Sequence, residues 1–469
     1  MRFSLPKTIT LSSQACDVKG EPRTGETIWT CGTLRYTSRG LFILFFWLMW
    51  NDFFLMLMES VQPALTGLLL KDNGATNNQL ALVGTITTVF TVWINPVVST
   101  WSDRTRTRWG RRRPFLLLVT PPAALFLAAI PWAPKAWHAL VSMPCFSANF
   151  GNGSVNGAVL AITICTVLFG MFNSVLMAIF WYFFWDVVPE AMLGRFNAIS
   201  KIVTTVQTFV WNYWLFGFAE NYMTWVFGGI AILFFLAYTA SVLAVKEGEY
   251  PPPEERPKGS PLAAVRTYAV ECYSNPYYLW IFAGFACYQL GNVSNMFRLF
   301  HWRDTLGLNL DTIGKMQAWP ALVVVVLAYP LGSLIDRLGP MRLMAPSLAI
   351  WSVINVLSFF FLKSATSLLI CFSAISLATF MNSICSGVLT AEVFPREKRG
   401  QFCSANQLAH SLLTFVATPL AGMFFDYVQD YTYVYAMSAF FQILSAILFS
   451  KVYFNWRQIN RNVSQTQAV

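Results

Sequence analysis

The stretch Ser102–Pro114, SDRTRTRWGRRRP, holds six arginines (Arg104, Arg106, Arg108, Arg111, Arg112 and Arg113) against one acid, Asp103. Long apolar segments flank it on both sides. A run with that charge cannot sit in hydrocarbon, so it reads as a short loop on one membrane face, and basic loops mark the cytoplasmic side. A weaker copy occurs at Gly332–Arg342, GSLIDRLGPMR, again between apolar segments. Two copies of one basic loop predict two copies of one helical bundle.

The rest of the composition agrees. The 469 residues are 56% hydrophobic and only 12% charged, where an average soluble chain carries about 25% charged residues. With repeated apolar runs of about 20 residues, this points to a polytopic membrane protein. The net charge of +10 is concentrated in alternate loops, which makes it a topology signal and argues against nucleic acid. The nine cysteines show no CxxC or Cys/His ligand spacing. Most lie in apolar segments (Cys165, Cys287, Cys371, Cys385) and Cys145 in a predicted outer loop, so no disulfide framework is expected. Three histidines argue against a histidine metal centre, and no cofactor is expected. Residues 1–40 are polar and of mixed charge, unlike a cleavable signal peptide, and read as a loose cytoplasmic tail.

Twelve spans are predicted, at about 41–66, 79–101, 115–133, 157–185, 196–219, 223–245, 276–299, 312–331, 343–362, 366–390, 402–425 and 430–454. An even number puts both termini on one side. With both inside, only Lys71, Lys135, Arg298, Arg303, Lys315 and Lys363 of the 32 basic residues fall outside or at outer helix ends. The stretch KEGEYPPPEERPKGSP at 246–261 bars both a span and a compact core, and splits the spans six and six. The expected layout is a tail (1–40), a first bundle (41–245), a cytoplasmic linker (246–275), a second bundle (276–455) and a cytoplasmic C-terminal tail (456–469).

The two halves repeat. Asp103-Arg104 matches Asp336-Arg337 at an offset of 233, and DVVPEAMLGR at Asp186–Arg195 matches EVFPREKRGQ at Glu392–Gln401 at an offset of 206. The difference, 27 residues, places extra chain between the third and fourth spans. The polar stretch Pro134–Asn156 is the expected insertion, on the outer face.

These features resemble the major facilitator superfamily, with its six plus six helices and a Gly-x-x-x-Asp-Arg loop after spans two and eight. The second copy keeps that form with Gly332, Asp336, Arg337 and Gly339; in the first, Ser99 replaces the glycine and Gly110 comes four residues late. The longer first loop, SDRTRTRWGRRRPF, is similar to that of the glycoside–pentoside–hexuronide cation symporters, above all their sucrose/proton branch. The resemblance covers the whole membrane portion. It implies an all-α fold of twelve transmembrane helices in two pseudo-symmetric six-helix bundles. It also implies that Asp103, Arg104, Asp336 and Arg337 bridge the halves at the cytoplasmic side. The loop arginines can reach Asp186 or other acids at span ends, or only set the topology. Where melibiose-type members bind sodium through two aspartates on span two, this chain has Thr91 and Asn95, which leaves the proton as the expected coupling ion. Trp181 stands where their span-four sugar-binding acid is expected, and Trp185 matches their sugar-stacking tryptophan.

Charged side chains inside a span need a reason. Asp52 and Glu59, seven residues apart, share one face of span one, and Gln62 continues that face. Such carboxylates can accept sugar hydroxyls, hold a cation or carry a proton, or be held by a basic residue from another helix. Trp181, Tyr182 and Trp185 offer flat faces for sugar rings, or simply face lipid. Lys201 on span five is a partner for Asp52 or Asp186, or snorkels. Gln289, Asn292, Asn295 and Arg298 form a polar stripe on span seven, suited to a cavity wall or to interhelical hydrogen bonds. His410 on span eleven is a candidate proton carrier or a core histidine. Asn173, Asn382, Gln207 and Gln407 are further cavity candidates.

The function these readings imply is a secondary transporter, a proton-coupled sugar or glycoside symporter working as a monomer in a cell membrane. Efflux of amphipathic organic compounds and a non-transporting sugar sensor are the alternatives. The sequence shows no HExxH, no GxSxG in a strand–turn–helix context and no Walker loop, so enzyme chemistry is not expected.

Overall fold

The computed structural model describes residues 15–16, 22–23, 28–31, 33–105, 107–143, 156–248, 268–394 and 398–467. The side chains of Thr91, Asn95, Asp103 and Arg104, the tip of the insertion with Cys145, and most of the linker lie outside the described residues, as do the readings made on them.

The helices of the first half are α1 (Ser38–Asp72), α2 (Asn77–Arg104), α3 (Arg113–Ala129, continuing to Val141), α4 (Gly157–Val187), α5 (Leu193–Val210) and α6 (Phe216–Ala244). Those of the second are α7 (Pro276–Val293, continuing irregularly to Thr305), α8 (Leu310–Leu338), α9 (Pro340–Phe361), α10 (Ala365–Val393), α11 (Arg399–Val428) and α12 (Tyr433–Gln467). Nine helices among the described residues are long and apolar enough to cross a membrane. The other three expected spans fall on α2, on α7 and within the helical stretch Arg195–Ala244. That stretch has 50 residues, about 75 Å of helix against a core about 30 Å thick. Tyr222, whose φ/ψ of −127°/36° is not helical, divides it where the fifth and sixth spans were expected to part. The chain is an integral, multi-pass membrane protein.

Local chemistry sets the helix ends. Thr76 and Gln79 close a capping box at the start of α2, and Ser364 and Ser367 do so at α10. Asn309 caps α8 by accepting from Thr312 N at 2.9 Å. Gly339 ends α8 at φ +82°, and Pro340 opens α9 in the next residue.

The packing repeats between halves. In the first, α1 packs on α5 and α6, α3 on α4 and α6, and α2 on α4. In the second, α7 packs on α11 and α12, α9 on α10 and α12, and α8 on α10. Each pair maps onto its counterpart six helices later. The joints between halves obey the same rule, for α2 packs on α11 and α8 on α5.

One sequence expectation fails. The chain before the first span is not loose throughout, because β1 (Trp29–Cys31) and β2 (Leu34–Tyr36) form an antiparallel hairpin. The Cys31 thiol donates to the carbonyls of Asp186 (3.3 Å) and Val188 (3.5 Å), which fastens the hairpin to the end of α4. Short alternating segments of this kind leave little mark beside twelve apolar runs.

Candidate functional site: a central cavity between the halves

At the end of the molecule remote from the basic loops, the halves interlock. Asp426 of α11 accepts from Asn77 N (2.7 Å) and Asn78 N (2.9 Å), so a carboxylate of the second half caps a helix N-terminus of the first. Tyr431 OH donates to Asn77 Oδ1 at 2.8 Å, Arg303 pairs with Asp72 at 3.0 Å, and Leu310 N donates to Glu220 at 3.2 Å. Two glycines permit the approach. A Cβ on Gly314 would lie 2.2 Å from the Asn212 carbonyl oxygen, and one on Gly422 would lie 2.7 Å from backbone atoms of Asn77 and Asn78.

At the basic end, the described polar ties stay within each half. Arg111 and Arg112 reach Asp186 at 2.6 and 3.1 Å. Arg112 also donates to Ser102 Oγ at 2.5 Å and stacks over the Tyr182 ring at 4.9 Å. The Glu247 carboxylate accepts from the backbone N–H groups of Arg111, Arg112 and Arg113 at 2.5, 2.8 and 2.8 Å. Burial pushes the Glu247 carboxyl above its ordinary value in spite of these donors. Gly110 has φ +109°, and a Cβ there would meet the Glu247 carboxylate at 2.5 Å, so the glycine displaced along the first loop serves this turn. In the second half, Glu271 pairs with Lys398 at 2.9 Å and accepts from Gln401 at 2.9 Å. Those partners hold its carboxyl below its ordinary value. Asp336 and Arg337 are exposed.

Between these ends lies a cavity of about 960 Å³. α1 contributes Ser60, Gln62 and Thr66; the π-helical turn Trp211–Leu215 after α5 contributes Trp211 and Asn212; α8 contributes Gln317; and α10 contributes Phe372, Ser376 and Thr379. The continuation of α7 contributes Asn295, Arg298, Phe300 and Trp302. A second cavity of about 310 Å³ shares Asn212, Gln317, Phe372 and Ser376 and extends along α5 to Thr204, toward the basic end.

Of the residues expected at a binding site, the cavity wall includes Asn295. Its amide donates to Asn292 Oδ1 at 2.9 Å, and Asn292 donates to the Tyr288 carbonyl at 3.1 Å. Asp52, 2% exposed, accepts from Ser200 Oγ at 2.5 Å, while its Oδ1 has no hydrogen-bond partner. Glu59 accepts from Asn173. Both carboxylates therefore engage partners of the first half rather than the cavity wall. Trp181 packs edge-on against Phe180 and Phe184, and Trp185 is 52% exposed beside Phe184. Lys201 is exposed. His410 is buried with Gln407 at 3.1 Å. Gln207 reaches Ser60 Oγ at 3.4 Å, and Asn382 accepts from Ser347.

Sequence reasoning missed Trp211, Trp302 and Gln317, and placed Arg298 at an outer helix end as well as in a polar stripe. The signal that could have found the tryptophans is weak. Each lies on a π-helical turn, which rotates the following residues off the regular helical face.

A model of the Major Facilitator Superfamily matches residues 279–467, the second half of the chain. No curated protein matches it. Among solved structures, the nucleoside transporter NupG is similar over 87% of this chain and 99% of its own, at 12% identity and a TM-score of 0.62. A D-xylose-proton symporter is similar over 87% and 97%, at 13% identity and a TM-score of 0.60. This is the major facilitator fold. A bacterial homologue of the iron transporter ferroportin, at 13% identity, covers 88% of this chain and 99% of its own in its inward-facing state, with a TM-score of 0.64. In its outward-facing state the TM-score is 0.54.

Proposed function

We propose that the chain is a secondary transporter that carries a sugar or glycoside together with a proton, by rocking its two bundles about the central cavity. The observation that carries this reading is the cavity itself, walled by both halves and sealed at one end by contacts between them. We read the basic end as both cytoplasmic and open, which makes this an inward-facing arrangement; the better match to the inward-facing neighbour supports that reading. Trp211 and Trp302 border the cavity as nearly buried parts of its wall, and Gln62, Asn212, Asn295 and Gln317 offer hydrogen bonds to the hydroxyls of a sugar. The basic-loop residues Asp103, Arg104, Asp336 and Arg337 form the gate that closes when the cavity turns outward, with Asp186 holding the first loop in position. Asp52 is the proposed proton carrier.

The test is counterflow in proteoliposomes against a panel of sugars, with and without a pH gradient. Asp52→Asn is expected to keep the fold but abolish uphill accumulation, leaving at most weak exchange; wild-type accumulation by this variant removes Asp52 from the mechanism. The apolar part of the wall, Phe216, Phe300, Phe372 and Phe380, also suits efflux of amphipathic compounds. Removing single hydroxyls from the substrate separates the two, because a sugar site loses transport and an efflux site tolerates the change.

A further inference from the structure

Arg298 is 6% exposed in the wall of the cavity, and among the described residues no acid pairs with it. Its Nη2 donates to Asn355 Oδ1 at 3.1 Å, its guanidinium lies 5.5 Å from the Tyr435 ring centroid, and its Nε has no hydrogen-bond partner. Among the described residues it makes no ion pair, and no Asp or Glu lines the cavity. Glu59 and Asp52 are held by Asn173 and Ser200. The backbone around it is irregular, a 3₁₀ turn at Ser294–Phe297 followed by a π turn at His301–Thr305, as is common where a helix serves a ligand. A buried cation without a counter-charge is costly in a membrane. A guanidinium offers paired donors that match a carboxylate, while the surrounding Asn295, Gln317 and Ser376 suit hydroxyls.

We propose that Arg298 anchors a carboxylate on the solute, so that the cavity takes a sugar acid or similar hydroxylated carboxylate in preference to a neutral sugar. This rests on the reading of the cavity as the transport site and names its substrate class. The Asn355 and Tyr435 contacts hold the guanidinium in place for that ligand.

The experiment is ligand binding to the purified full chain in lipid nanodiscs, read by thermal shift and titration calorimetry. The probes are three pairs that differ at the acid: glucuronate and glucose, galacturonate and galactose, gluconate and sorbitol. In at least one pair the acid is expected to bind at least tenfold more tightly than its neutral partner. Arg298→Gln should bring the two to parity, and Arg298→Lys should keep part of the preference. Neutral partners binding as tightly as the acids in every pair, no acid binding at all, or an acid preference unchanged in Arg298→Gln would each overturn the proposal. The wild-type comparison stands even where a variant fails to fold. Proteoliposome counterflow with the same probes separates this idea from the transport reading. Acids that bind through Arg298 without exchanging sink transport and leave the anion site. Neutral sugars that exchange while acids do not bind do the reverse.

Discussion

The two ends of the molecule use the same chemistry to opposite purpose. At the end remote from the basic loops, the outer end in the proposed function, the acids Asp72, Glu220 and Asp426 reach across to the other half. At the basic end, Asp186, Glu247 and Glu271 reach residues of their own half. Among the described residues, charge therefore tightens the joint at one end and stiffens each bundle at the other. Bundles that are rigid within and joined through a few reversible contacts can rock as bodies, since packed elements shift between discrete arrangements rather than deforming continuously.

The largest expected effect comes from breaking the outer joint by bulk. Gly422→Val places side-chain atoms where the backbone of Asn77 and Asn78 already lies, and strain of that kind leaves the inward-facing arrangement unable to form. The expected outcome is a molecule held outward-facing, with a cysteine at Ser376 reactive to an impermeant thiol reagent from the outer face. Unchanged reactivity from the cytoplasmic face would show that this contact does not seal the cavity. Breaking the joint by charge should do less. Asp426→Asn replaces a carboxylate that caps α2 with a neutral group, worth about 1–2 kcal/mol, which shifts the inward-to-outward ratio by roughly five- to thirtyfold. The same cysteine reads that partial shift.

The smallest effect belongs to the basic end and sharpens the contrast. Glu247 is half-buried, and partial burial holds its carboxyl above the ordinary value of 4.5. The folded chain thus holds that proton more tightly than the unfolded chain does. This contribution to stability is complete below pH 4.5 and is lost as the pH rises through the raised folded value. Glu247→Gln should flatten thermal stability against pH over that window, and should leave the accessibility of the outer end unchanged. A pH profile identical to wild type would show that Glu247 does not titrate as its burial implies.

Much of the fold was legible because it follows from hydrocarbon thickness and from charge. The repeat of Asp103-Arg104 at Asp336-Arg337 announced two bundles, and the packing pairs repeat six helices apart. The charge and position of the loop arginines pointed to Asp186 or another acid at a span end, and the structure holds Arg111 and Arg112 on Asp186. The cavity wall was far less legible. A span that is apolar on every side gives no periodic signal for the face it turns inward. The π turns at Trp211–Leu215 and His301–Thr305 then rotate that face without any mark in the residue types. Polar side chains such as Asp52 and Glu59 drew attention by their cost in a membrane. They meet part of that cost with Ser200 and Asn173 inside one bundle, whereas Arg298, counted among the outer basic residues and also in the polar stripe of span seven, lies in the cavity wall.

The central claim is that the two ends open and close in opposition about one cavity. Its most direct test is a pair of spin-label distances in lipid, on a background without the native cysteines. One pair joins Asn73 to Gln429 across the outer end, and the other joins Arg108 to Lys398 across the basic end. Introducing Gly422→Val is expected to lengthen the first distance and shorten the second in the same molecules. Both distances unchanged, or both lengthening together, would contradict the account.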